Sequence, residues 1–319
     1  VRRGIFVGGA LAACALPRLA SAQTASPFPS ATPAASPTPA PATPAPATPA
    51  TPVLDVGDLV DRIPGITGVV VRTLGDGPPV VAIRADEKFA AASVIKLAIM
   101  ATVYRAYDAG TAKPSDMVKT RASDLIGGSD VLAGSPAGKE WSLDTLVKAM
   151  IRVSDNAASN TLITAFGMQT VNATMQLAGM TSSRLGRHFA DVVPAWRRSE
   201  NIITPADTAG LLFAIERGAR EALTTIATPQ SCRAMIEVLL GNDDATKIVR
   251  GLPPGTPCAH KTGEIDFVRN DAGIVDPFGD APYVLVVLTR KLRSHAAGNA
   301  GIGAIAHRVD AALRQNRAG

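Results

Sequence analysis

Ten of the 24 prolines fall between Pro27 and Pro52, inside a tract of Pro, Ala, Thr and Ser with an approximate Ala-Thr-Pro-Ala-Pro repeat. Such a stretch has almost no side chains able to build a core and lacks a backbone donor at every proline, so it stays extended. The tract therefore fixes where a fold can lie. It makes 23–53 a semi-rigid spacer, with a reach of about 90 Å at ~3 Å per residue. It leaves 54–319, long enough for one compact domain burying roughly 70–75% of its unfolded surface.

The residues before the spacer read as an export signal, 1–22. Arg2-Arg3 open it, an apolar stretch runs from Ile5 to Leu16, and Ala20-Ser21-Ala22 is a small-x-small cleavage site before Gln23. The apolar stretch is too short to span a bilayer. The paired arginines resemble a twin-arginine signal, and an ordinary secretory signal fits equally. Leu11-Ala12-Ala13-Cys14 resembles a lipoprotein box, but the well-formed later cleavage site favours a coincidental Cys14. The expectation is an exported protein, periplasmic or extracellular; the spacer suits work near the cell wall or membrane, and an unselective tail fits it equally. Export exposes Cys232 and Cys258 to an oxidising compartment. One disulfide and two buried thiols both remain open.

The formal charge of +5 does not indicate nucleic-acid binding. Arg2, Arg3 and Arg18 lie in the leader, so 29 Lys and Arg face 27 Asp and Glu afterwards. No basic run carries interleaved aromatics. The four histidines (His188, His260, His295, His307) show no metal-ligand spacing, and the two cysteines form no Cys-x-x-Cys pair. No metal or other cofactor is expected, and no stable protein partner is implied.

Within 54–319, a β-branched run from Gly68 to Thr73, a turn at 75–79 and a return over 80–84 predict a β-hairpin. A helix is expected from Ser93 to about Gly110, followed by Leu143 to Val153, Asn156 to Phe166, Met168 to Leu177, Pro205 to Arg217 and Cys232 to Leu240. Strands resume at Thr256 to Thr262, Asp271 to Val275 and Tyr283 to Thr289, and a last helix covers roughly Gly298 to Arg314. Strands, then helices, then strands imply an α+β fold: an antiparallel sheet from both chain ends, with a helical subdomain of about 93–230 inserted between.

Three short motifs carry chemistry. Ser93-Val94-Ile95-Lys96 places a hydroxyl and an amine on one face of a helix start. Serine needs a base to take its proton. Lysine can be that base only if burial or a nearby cation keeps it neutral. Ser154-Asp155-Asn156 offers a second hydroxyl, able to relay a proton to a leaving nitrogen, and an amide for a substrate carbonyl. Lys261-Thr262-Gly263 offers a cation and a hydroxyl for a carboxylate, with a glycine where a substrate backbone would lie against a strand edge. Each motif alone also fits an N-cap or a strand end.

The ordered set resembles class A β-lactamases and related penicillin-recognising serine hydrolases over essentially all of 54–319. The flanks Glu87 to Ala92, Gly128 to Leu132, Met150 to Val153 and His260 to Asp271 match too. The resemblance implies the β-lactamase/transpeptidase-like fold and a partner that is a small-molecule β-lactam or a cell-wall peptide. It implies Ser93 as the acylated nucleophile, Lys96 as proton acceptor and Ser154 as proton relay. Asn156 would hold a substrate amide, and Lys261 and Thr262 its carboxylate. The backbone N–H groups of Ser93 and Glu264 would form the oxyanion hole. Arg269 stands within about one residue of the family's usual carboxylate-binding arginine.

One part departs from the pattern. The family's loop glutamate, with an asparagine four residues later, activates the deacylating water. Aligned through Arg184 and Arg187, those positions hold Phe189 and Val193, neither of which accepts a proton. Acylation is expected to survive and hydrolysis to be impaired. Asp191 and His188 are the candidates for a substitute base, against a plainer reading of each as a solvated or ion-paired loop residue. Asp155 reads as structural.

Overall fold

The computed structural model describes residues 54–128, 131–189, 200–221 and 223–318. The export signal, the spacer, Asp191 and Val193 lie outside the described residues. The fold class follows the sequence expectation. A five-stranded antiparallel sheet is ordered β2-β1-β9-β8-β7, from β1 (Ile66–Thr73), β2 (Val81–Ile83), β7 (Cys258–Ile265), β8 (Val268–Val275) and β9 (Tyr283–Arg290). The first and last thirds of the domain thus meet in one ladder, β1 pairing with β9 from Ile66↔Arg290 to Thr73↔Tyr283.

Central β9 reads Tyr-Val-Leu-Val-Val-Leu-Thr-Arg and is buried along all but its last residue. It shows no polar alternation because both faces are covered. Val284, Val286 and Leu288 face the helical insertion, while Tyr283, Leu285 and Val287 face α1 (Gly57–Arg62) and α9 (His295–Ala318). Strand periodicity thereby creates two apolar cores, one on each side of the sheet. Each fully buried Val or Leu contributes roughly 1.5–3 kcal/mol.

The insertion holds α2 (Lys96–Asp108), α3 (Leu143–Arg152), α4 (Asn156–Phe166), α5 (Met168–Leu177), α6 (Pro205–Glu221) and α7 (Pro229–Leu240). Capping chemistry marks their starts. Ser142 accepts from Thr145 N before α3, Asp155 from Ala158 N before α4, and Thr228 from Ser231 N before α7, where Pro229 opens the helix. Helix α2 is wrapped on all sides, with Lys96 to Tyr104 continuously buried. It is the post around which the insertion packs. A 3-10 turn, Ala92–Ile95, leads into it and carries Ser93.

Short elements escaped the sequence reading: α1, α8 (Ile248–Gly251) and the two-stranded pairs β3 (Phe89–Ala90) with β6 (Ile202–Ile203) and β4 (Met117–Lys119) with β5 (Glu140–Ser142). Cys232 and Cys258 are free, buried thiols. Cys232 belongs to the core on the helical side of the sheet and Cys258 to the core on the α9 side, so the intervening sheet precludes a disulfide.

Candidate active site

The position of Ser93 follows from a glycine. On the twisted edge strand β7, Ala259, Lys261 and Gly263 share the face toward the helical insertion. A Cβ on Gly263 would lie 3.0 Å from Ser93 N and 3.1 Å from Ala91 O. The sequence expectation reserved that space for substrate. The structure uses it to seat the Ser93 turn against the strand. Asn270, on the same face of β8, fastens the approach to that turn by donating to Ala90 O at 2.9 Å.

Lys96 is wholly buried. Its Nζ donates to Ser154 O at 2.7 Å and to Asn156 Oδ1 at 2.8 Å, and Ser154 Oγ lies 3.2 Å away. Ser154 stands in the left-handed region, φ +58°, a conformation costing about 1–3 kcal/mol. Burial, and then the nearby charge of Lys261, hold the Lys96 amine well below the ordinary lysine value. A neutral amine has two N–H groups and one lone pair. The two short bonds use the N–H groups, leaving the lone pair to receive a proton.

Asp155 carries the junction between these groups. It is fully buried, caps α4, and its Oδ2 accepts from Val131 N and Leu132 N, each at 2.9 Å. Its role is structural: it pins the loop before Leu132 to the end of α3. Gly128 has φ +73°, and a Cβ there would meet Asn156 Nδ2 at 2.6 Å, so Gly128 packs directly against Asn156.

Lys261 is fully buried, and its Nζ donates to Thr262 O at 2.9 Å. Burial lowers its pKa to about 8, with Asp271 and Asp244 pulling upward and Lys247 downward. Lys247 was missed in the sequence. It is wholly buried before α8, and its Nζ reaches Asp244 Oδ2 at 2.5 Å and Glu264 Oε1 at 2.6 Å. A buried pair ties this region to β7: His260 Nδ1 lies 2.9 Å from Asp271 Oδ1, and Asp271 Oδ2 accepts from Ile248 N at 3.0 Å.

A cleft of about 300 Å3 opens over Ser93, lined also by Asn156, Arg187, Phe189, Glu200 and Glu264. The loop wall is firmly anchored. Arg187 pairs with Glu200 (Nη2–Oε2 3.1 Å), Asn201 Oδ1 accepts from Gly186 N and Arg187 N, and Arg184 and Ile202 exchange backbone bonds. Phe189 is locked to α4, its N donating to Asn160 Oδ1 at 2.8 Å and its O accepting from Asn160 Nδ2 at 3.2 Å. The Phe189 ring stacks against the buried amine, with Lys96 Nζ 4.5 Å from its centroid.

Two expected site residues stand elsewhere. His188 faces Thr164 on α4, Nε2 to Oγ1 3.4 Å, and Thr164 donates onward to Asp124; it does not line the cleft. Arg269 lies on the α9 face of β8, where a Cβ on Gly298 would sit 3.5 Å from its Cβ. One residue of register moves a strand side chain to the opposite face, so Asn270 faces Ser93 in its stead. Arg269 reaches Glu264 instead, Nε to Oε1 3.5 Å.

Comparisons with known proteins bear on the fold and the family. The model of a β-lactamase enzyme family matches residues 54–313. The β-lactamase of Streptomyces albus G is 30% identical over 253 residues, 76% of this chain and 78% of that protein. An ancestral class A β-lactamase superposes with a TM-score of 0.72 at 27% identity, covering 81% of this chain and 98% of the other. A variant of PBP-A, solved as an acyl-enzyme complex with penicillin G, gives 0.72 at 25% identity, covering 81% and 94%.

Proposed function

The chain belongs to the β-lactamase enzyme family, and on that premise we propose that it forms an acyl-enzyme on Ser93 with β-lactams or related amides and esters, then releases the acyl group slowly. In the proposed acylation, neutral Lys96 takes the Ser93 hydroxyl proton as Oγ attacks the carbonyl carbon. The carbonyl π electrons move to oxygen, which the N–H groups of Ser93 and Glu264 receive. When the C–N bond breaks, Ser154 gives its proton to the departing nitrogen and regains one from Lys96. Charged Lys261 and Thr262 hold the substrate carboxylate, and Asn156 holds its amide.

The observation that carries slow release is the Phe189 ring against Lys96 Nζ at 4.5 Å. An aromatic face fills the place where a general base would align water, and losing such a base typically costs ~10²–10⁴ in rate. A second reading, a D-Ala-D-Ala carboxypeptidase or transpeptidase-like enzyme, is supported by the likeness to PBP-A. Capture of β-lactams or wall fragments without turnover is the limiting case of the same chemistry. The leader and spacer support export to the periplasm or beyond; a mature N-terminus at Gln23 in a secreted fraction tests it.

A chromogenic cephalosporin followed by colour and intact mass tests the whole reading. A one-equivalent burst with a lasting adduct on Ser93 supports it. Rapid steady turnover without an adduct removes slow release, and neither colour nor adduct removes the acyl-enzyme.

A further inference from the structure

The cleft's carboxylate end holds a carboxylate of its own. Lys247 has no exposed side-chain surface, and its ammonium has three N–H donors. All three are spent, on Asp244 Oδ2 at 2.5 Å, Thr246 Oγ1 at 3.0 Å and Glu264 Oε1 at 2.6 Å. Asp244 and Thr246 belong to the same short turn as Lys247, and Thr246 N and Oγ1 both donate to Asp244 Oδ1. Glu264 is the partner from outside. Its side chain is 44% exposed, it lines the Ser93 cleft, and it stands two residues along β7 from Thr262, on the same strand face. The same Oε1 lies 3.5 Å from Arg269 Nε, so a second cation is already within reach when Glu264 leaves the first.

We infer that Glu264 is an internal stand-in for the substrate carboxylate: it pairs with Lys247 and moves onto Arg269 when an anionic ligand enters, so that it tunes selectivity for the ligand's charge. This rests on the proposed reading of the cleft as a carboxylate-binding acylation site. Lys247 itself does not line the cleft, so a ligand carboxylate held by Lys261 and Thr262 reaches it only by taking the position Glu264 fills. Arg269, displaced by one register step from the cleft, thereby acquires a use as the landing place for the displaced side chain. Without it, moving Glu264 would leave a half-buried carboxylate unpaired.

The test separates binding from chemistry by using the Ser93→Ala protein, which cannot be acylated. Affinities for benzylpenicillin and for its methyl ester are measured by calorimetry with and without Glu264→Gln. The acid is expected to bind about tenfold tighter when Glu264 is neutral, the scale of one charge-assisted hydrogen bond. The ester is expected to change by less than about twofold, because it brings no competing charge. Equal changes for acid and ester, no change for either, or no binding of the acid to either protein overturns the inference. A third variant distinguishes displacement from a simple change of local field. Arg269→Gln is expected to weaken acid binding when Glu264 is present and leave it unaltered in Glu264→Gln; equal weakening in both overturns the displacement. Failure of the adduct test on the Ser93 protein would remove the hydrolase reading while leaving these binding differences to stand or fall by themselves.

Discussion

Ser93 and Phe189 face one cleft from two walls, and the walls differ in what their groups can do. On the Ser93 wall the groups around the serine are tied together by hydrogen bonds. Lys96 bridges Ser154 and Asn156, Asp155 pins the loop behind them, and Lys261 is buried beside Thr262. On the Phe189 wall the anchoring is as complete, through Arg187 with Glu200, Asn201 with the backbone, and Asn160 with Phe189. Yet the side chain presented to Lys96 is a hydrocarbon ring. Framework and chemistry are therefore separable on the second wall: the bonds that place residue 189 are backbone bonds, indifferent to the side chain they place.

The largest expected effect tests the Ser93 wall. Ser93→Ala should lower adduct formation by at least ~10⁴-fold in intact-mass time courses, since no other group there can replace the nucleophile. An adduct that persists on the variant would relocate the chemistry. Next comes the Phe189 wall. Phe189→Glu, by itself or with Val193→Asn, should speed loss of the adduct by ~10²–10⁴ while acylation stays similar; an unchanged adduct lifetime would show that the loop alignment is wrong.

A smaller effect concerns pH. Lys261 is charged below about pH 8 and neutral above it. Capture of a carboxylate-bearing β-lactam should weaken as pH rises through 8, roughly tenfold one unit higher, with the loss in KM rather than in the maximal acylation rate. The folded state binds this proton less tightly than the unfolded chain does. Stability against urea should accordingly rise with pH from about 8 towards the unfolded lysine value, as far as this group is concerned. The smallest effect sharpens the contrast between walls: Phe189→Ala should alter acylation by less than about tenfold, because the ring touches Lys96 without accepting its proton. A larger loss would make the ring part of the acylation machinery.

The long elements were legible because they repeat a physical pattern. Asn156 to Phe166 and Met168 to Leu177 agree with the structure at both ends, since an Asp cap and Gly167 punctuate them. Helices α1 and α8 were not legible: a turn or two has too few residues to show periodicity and owes its existence to packing on α9. The same split holds in the cleft. Ser93 and Lys96 are legible because their spacing is local. Lys247 is not, since its partner Glu264 reaches it only through β7 folding beside α8. Arg269 was misplaced by a single residue, which strand alternation converts into the wrong face. The loop position of Phe189 was readable from Arg184 and Arg187, whose spacing the anchoring bonds preserve.

The two thiols on opposite sides of the sheet have a further consequence. Folding of this domain needs no oxidant, because burial pushes the Cys232 thiol up to about 11 and raises Cys258 well above the ordinary thiol value, leaving both as unreactive S–H groups. The same tertiary structure is then attainable in reducing and in oxidising surroundings alike.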